Sequence, residues 1–216
     1  MSLESTTVTS EAQLAELYRR PTESVLAKET QTFDDACRSF IDRSTFVVVS
    51  TSSADGELDA SPRGGPAGFV KVLDGDRLAI PDLNGNNRLD SIRNIVQTGR
   101  IALLFVVPGL GETLRVNGAA SVSIEDEILD LFTEELRRPK TAIVVTIEQG
   151  FVHCAKAFRR GGLWEPDTWP GVEERPSPGE MLVAHSGATD VTGAEVEESL
   201  ERAYEHGLAY DLPESD

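Results

Sequence analysis

The sequence predicts a mainly β fold with peripheral helices, built as a six-stranded antiparallel barrel. Three observations carry this. Runs of β-branched or alternating residues recur from residue 44 onwards. Asp-Gly turns in "ADGE" (54–57) and "DGD" (74–76) join neighbouring runs as hairpins. Helical patterns interrupt the strands only twice, so the strands do not alternate with crossover helices as a doubly wound sheet requires. Closing such strands into a barrel leaves no exposed edges.

Taken in order, Ser10-Glu-Ala-Gln13 has a capping-box pattern, and Leu14, Leu17 and Tyr18 follow at helical spacing until Pro21. A second helix is expected over about 22–40, with Val25, Leu26, Phe33, Ala36, Cys37 and Phe40 turned inward. Residues 1–40 thus form a helical extension. The barrel domain, 41–160, opens with "STFVVVSTSS" (44–53). The strand "LDASPRGGPAGFVKVL" is interrupted by Pro62, Gly64, Gly65 and Pro66, and "RLAIP" follows the second turn. A helix is expected over about 87–97, ended by Gly99. "IALLFVVPG" and "GETLRVNGAASVSI" are the next two strands, and "EDEILDLFTEEL" is an amphipathic helix. "TAIVVTIEQGFVHCAKAF" is a long last strand running into a helical turn. The remainder, 161–216, is a Gly-, Pro- and Glu-rich tail with one helix, "GAEVEESLERAYEHGL", packed on the barrel.

Composition narrows the function. A chain of 216 residues with 39% hydrophobic and 26% charged residues has enough apolar content for one sizeable core. The net charge of -17 excludes a nucleic-acid surface, which needs clustered cations. Lysine is confined to Lys28, Lys71, Lys140 and Lys156; the other cations are arginines. The polar N-terminus has no apolar leader, and no run reaches transmembrane length, so a soluble cytoplasmic protein without a membrane partner is expected. Cys37 and Cys154 are expected as two buried free thiols.

"IPDLNGNNRLDSIRN" (80–94) invites two readings. Asp82, Asn84 and Asn86 alternate like calcium-loop ligands, but Asn87 stands where that loop needs Gly and Arg93 where it needs Glu. As an anion cradle, Gly85 admits close approach, Asn86 or Asn87 caps the helix, and Arg88 lies in its first turn beside the positive dipole end. The competing reading is a surface arginine paired with Asp90. "ASPRGGPAGF" (60–69) marks a bulge or close ligand approach around Arg63, against a kinked edge strand. In "GETLRVNG" Thr113 and Arg115 share one face, which is either a cleft or an exposed sheet surface. His153 and Cys154 are adjacent on a strand and point apart, so no Cys–His dyad is expected, and no metal site.

The order "SPRG", hairpin, "GNNRLDSIRN", "IALLFVVPG", "ETLRVNG", "HCAKAF" resembles the pyridoxamine 5'-phosphate oxidase-like family of FMN-binding split barrels over about residues 40–156. The resemblance is nearest to a subgroup of FMN-dependent enzymes of unknown substrate. It implies a split barrel, FMN as cofactor, and a homodimer with two flavin sites at its interface. The family's phosphate-binding Ser-Arg-Lys matches Asn86, Asn87 and Arg88, so one of two cations is kept, and the other is assigned to Arg63 or Arg115. The second strand, Arg63 and Gly64 onwards, would lie along the isoalloxazine ring, and Ile80 and Pro81 would touch the cofactor. Thr113 would reach the site from a partner subunit, and Lys156 and Trp164 would make the C-terminal contact. The residues that bind vitamin B6 in the true oxidases have no counterpart here. The implied activity is that of an FMN-dependent oxidoreductase taking a small-molecule substrate or electron donor. The alternatives are a deazaflavin or haem enzyme on the same barrel, and a flavin-binding or sensory protein without turnover.

Overall fold

A computed structural model describes residues 7–213, so the first six residues of the polar N-terminus and the last three of the tail lie outside the described residues. Seven strands form one antiparallel sheet: β1 (Phe46–Ser52), β2 (Leu58–Gly64), β3 (Lys71–Val72), β4 (Arg77–Pro81), β5 (Arg100–Val106), β6 (Thr113–Ser123) and β7 (Ala142–His153). Their order is β2-β1-β5-β6-β7-β4-β3. The expected barrel is thus present with a seventh strand. That strand is the two-residue β3, cut from the long second run where Gly65–Gly68 turn the chain away from the sheet.

The core follows from strand alternation. Val47 and Val49, Leu103 and Phe105, Leu114 and Val116, Val145 and Ile147, and Leu78 and Ile80 all project into one buried cluster. Phe33, Ile41, Phe69 and Ile95 complete it from outside the sheet. Two glycines have backbone reasons to be there. Gly56, at φ 86, makes the β1–β2 turn. At the bulge between Asn117 and Gly118, a Cβ on Gly118 would lie 2.0 Å from the Thr146 carbonyl oxygen, so only glycine lets β7 approach there.

Helices α1 (Glu11–Leu17), α2 (Glu23–Leu26) and α3 (Asp35–Arg43) form the N-terminal extension. Ser10 caps α1 as expected, accepting from the Gln13 N–H at 3.3 Å. The single helix expected over 22–40 is instead α2 and α3, separated where Thr30 bridges to Gly150 of β7. Strand pairing outcompetes helix propagation at that point. Asp34 restarts the helix by accepting from the Cys37 N–H at 2.8 Å. Phe33 is buried, but Val25, Leu26 and Ala36 are exposed, against expectation.

Helix α4 (Asp90–Thr98) crosses β1: Asn94 Nδ2 donates to Thr51 Oγ1 at 3.0 Å and Thr98 Oγ1 to the Ser52 carbonyl at 3.2 Å. The helix expected in "EDEILDLFTEEL" is only α5 (Asp126–Leu129) and a 3-10 turn, Asp130–Phe132, which closes a small second core around Ala79, Phe132 and Ala142. After α6 (Lys156–Arg160), the tail carries two helices rather than one, α7 (Pro178–Ser186) and α8 (Gly193–Tyr210). Cys37 is half-buried and Cys154 exposed, so the expectation of two buried thiols fails at Cys154, which falls one residue beyond the end of β7. Among the described residues, no helix is long and apolar enough to cross a membrane.

Candidate functional site

Strand β2, at one end of the sheet, meets the loop after β4 at one cleft. Along β2, Asp59, Ser61 and Arg63 alternate onto one face, opposite Thr51, Val49 and Val47 of β1. Beyond Ala79 the outer edge of β4 has no strand partner, because β3 pairs only at Lys71↔Ala79 and Val72↔Leu78. The loop after β4 fills that gap, so Arg63, Asp82, Asn86, Asn87 and Arg88 line one cleft with Asp59. Its volume is about 280 Å³, near the small end for ligand sites.

Arg63 is the central side chain. Its Nη1 lies 3.6 Å from Asp82 Oδ1, with side chains 23% and 19% exposed. Its Nε is buried and, among the described residues, has no hydrogen-bond partner. A buried guanidinium N–H left unpaired is costly, so this position calls for an acceptor, supplied by a ligand or by water. Burial pushes the Asp82 carboxyl up; the charges of Arg63 and Lys140 pull it part of the way back. At 3.6 Å the pair is looser than a charge-assisted hydrogen bond, which leaves the guanidinium open to a stronger anion.

The loop itself differs from expectation in its cap. Helix α4 starts at Asp90, and the cap position is Leu89 at φ 59, without a side-chain cap. Asn86 does not cap the helix; its side-chain oxygen accepts from the Arg88 N–H at 3.0 Å and closes a local turn. Asn87 sits at φ 58, a conformation asparagine tolerates. Two left-handed residues in three positions delay the helix, so Arg88 precedes it by two residues instead of lying in its first turn. Arg88 is 78% exposed and bonds Asp90 through Nε at 2.6 Å, the pairing that the competing reading names.

The remaining candidates divide. Gly64 is on the sheet face opposite Arg63, and its Cβ would lie 3.3 Å from the Thr45 carbonyl. Ile80 is fully buried in the core and Pro81 is buried, so the Ile80 side chain meets core rather than ligand. Thr113 and Arg115 pair across β5 and β1 with Gly64 and Pro62, so they project from the face opposite Arg63. Arg115 therefore cannot complete the Arg63 cleft from within the same chain. Its guanidinium lies 4.4 Å over the Phe151 ring, and its Nε is also buried without a partner. Lys156 is exposed at the start of α6, and Trp164 donates from Nε1 to the Leu110 carbonyl at 2.8 Å. Asp59 and Ser91 join the cleft without a sequence motif that marks them: Ser91 Oγ donates to Asp59 Oδ2 at 2.5 Å. The alternation Asp59, Ser61, Arg63 was the available signal for a polar strand face.

An antiparallel barrel left open at one edge, with a cation-bearing cleft in the opening, defines a split-barrel protein. The chain belongs to the pyridoxamine 5'-phosphate oxidase family, whose sequence profile matches residues 33–154, more than half of it. No curated protein matches the chain. Among solved structures it is similar to HupZ of Group A Streptococcus, at 17% identity over 55% of this chain and 92% of that one, TM-score 0.46. It is also similar to an F420 reductase, at 17% identity over 52% and 94%, TM-score 0.38. A third similarity is to HutZ, the haem storage protein of Vibrio cholerae, at 14% identity over 56% and 94%, TM-score 0.40. These likenesses do not choose a cofactor.

Proposed function

We propose that the protein is an FMN-dependent oxidoreductase holding its flavin at a homodimer interface, with the phosphate in the cleft between β2 and the 82–89 loop. The observation that carries this is the buried, unpartnered Nε of Arg63 in a cleft shared with Arg88 and the unpaired start of α4. Three features of the cleft fit a phosphate: a fork-shaped donor, a second cation, and first-turn N–H groups without a side-chain cap. Three carboxylates also line it: Asp59 accepts from Ser91, Asp90 pairs with Arg88, and Asp82 lies loosely against Arg63, so a phosphate would have to draw both arginines from these partners.

Bound flavin would supply hydride and electron transfer. The chain's own residues position it and set its surroundings. Arg63 and Arg88 would hold the phosphate end of the cofactor. A cleft of this size suits one end of the cofactor, which is why a second subunit enters the proposal. The face that carries Arg115 also carries Phe46, Val48, Leu104 and Phe151, a half-open apolar strip suited to a second copy. From there Thr113 and Arg115 would reach the neighbouring flavin, which a single chain does not allow.

Anaerobic mixing of the flavin-loaded protein with NADH or NADPH tests the reaction. Bleaching of the flavin band at a saturable rate supports an oxidoreductase. Flavin that binds but accepts electrons from neither donor supports a binding or sensory protein.

A further inference from the structure

We infer that Asp211, at the C-terminal end of α8, is a positioning residue that holds the 83–89 loop in the shape the cleft requires. The coupling of this residue to a cofactor rests on the proposed function; the mechanical part does not.

The loop is poorly anchored by itself. It begins after the Asp82 N–H donates to the Thr141 carbonyl at 3.0 Å and ends where the Arg93 N–H returns to Leu89 at 2.9 Å. Between these points its residues are mostly exposed, and two have left-handed backbones. The bond from the Arg88 N–H to Asn86 is local. Among the described residues, the loop's long-range hydrogen bond is from the Asn84 N–H to Asp211 Oδ1, at 3.3 Å and 127 positions away. An N–H bonded to a carboxylate is stronger than a neutral pair, so this contact restrains a loop that otherwise keeps much of its chain entropy.

Asp211 is fixed in turn. Its carbonyl accepts from the Arg137 N–H at 2.8 Å, and the neighbouring Tyr210 carbonyl accepts from Arg137 Nε at 2.7 Å. The Arg137 guanidinium lies 4.3 Å over the Tyr210 ring. Helix α8 has 18 residues and fully buries none, so these end contacts, and not a packed face, tie it to the barrel. The loop is a partition. Arg63 and Arg88 line its one side; Arg137, Lys140, Tyr210 and Asp211 line a second, smaller recess on the other, and Asp82, Gly85 and Asn87 border both. A shift of the end of α8 is therefore a shift of the loop.

The test is amide hydrogen exchange of Asn84 by NMR on the full chain without ligand. Asp211→Ala is expected to speed it about tenfold, the effect of losing a charged acceptor. Asp211→Asn keeps an acceptor oxygen but loses its charge, so it should fall between the parent and alanine, while the Leu103 and Val116 amides stay unchanged in both. Tyr210→Ala, which disturbs the same anchor through its ring, should also speed Asn84. Unchanged Asn84 exchange in Asp211→Ala and Tyr210→Ala overturns the inference. In a second arm, FMN affinity should fall about three- to tenfold in Asp211→Ala and recover in part in Asp211→Asn. Faster exchange with unchanged affinity overturns the coupling to the cleft. A parent protein that binds no FMN defeats the proposed function, and the Asn84 exchange still decides the positioning role.

Discussion

Replacing Arg63 with alanine separates the phosphate assignment from a merely structural cleft. The substitution removes a guanidinium whose Nε is buried and unpartnered and whose Nη1 is 3.6 Å from Asp82. A hydrogen bond between charged groups contributes about 1.5–3 kcal/mol, so FMN should bind about 10- to 150-fold more weakly. Loss of the cation also leaves Lys140 as the remaining compensating charge on Asp82 beside an incoming phosphate, which acts in the same direction. Arg63→Lys keeps the charge but loses the fork and the Nε donor, so it should fall between parent and alanine. Arg88→Ala should weaken binding less than Arg63→Ala, because Arg88 is 78% exposed and must leave Asp90 to help. Arg77→Ala is the control: Arg77 is paired with Asp74 at 2.6 Å on the β3–β4 turn and should have no effect. Quenching of FMN fluorescence at fixed ionic strength gives the affinities, and urea unfolding of each variant checks the fold. Parent-like affinity in folded Arg63→Ala, or a loss in Arg77→Ala as large as in Arg63→Ala, would refute the assignment.

Other consequences are independent of the cofactor. Cys154 is exposed, whereas burial, reinforced by Asp34, pushes the Cys37 thiol up to about 11. At pH 8 a thiol reagent should therefore modify one cysteine per native chain quickly, and Cys154→Ser should abolish that phase; a surviving fast phase would contradict it. Burial, then the charges of Arg115 and Lys28, hold the His153 imidazole below its ordinary value of 6.5. The folded state thus binds this proton less well than the unfolded one. Stability is lost as pH falls through 6.5 towards the folded value. His153→Gln should flatten that part of the urea-midpoint profile between pH 7.5 and 5.5, and an unchanged slope would count against it. Ile80→Ala should cost about 2–5 kcal/mol in urea unfolding if Ile80 is a core side chain; a loss of FMN binding at parental stability would restore it to the ligand.

Much of the barrel was legible because strand alternation and Asp-Gly turns are local signals. "VVVS", "RLAIP" and "IALLFVV" became β1, β4 and β5 nearly as read. What misled was competition that a local pattern cannot show. The 22–40 helix broke because Thr30 found Gly150, a partner 120 positions away in β7. The caps expected of Asn86 and Asn87 failed because left-handed residues at 87 and 89 moved the helix start to Asp90. The cleft was half legible. Arg63 and the Asn-rich loop stood out as oddities, but Asp82 as the neighbour of Arg63 depends on where β2 meets the loop after β4. Arg63 and Arg115 looked interchangeable as the missing cation. Strand register puts them on opposite faces, so the choice became Arg63 within one chain. The Asn84–Asp211 contact joins residues too far apart for any sequence pattern to reveal.

The central claim is that the cleft at the barrel's opening holds FMN. Equilibrium dialysis of the purified protein against FMN, a deazaflavin and haem, supplied together and read by absorbance, tests it most directly. The account predicts retention of FMN at one per chain, with the shifted and structured flavin bands of a bound ring. A colourless protein, or one that retains the deazaflavin or haem in place of FMN, would contradict it.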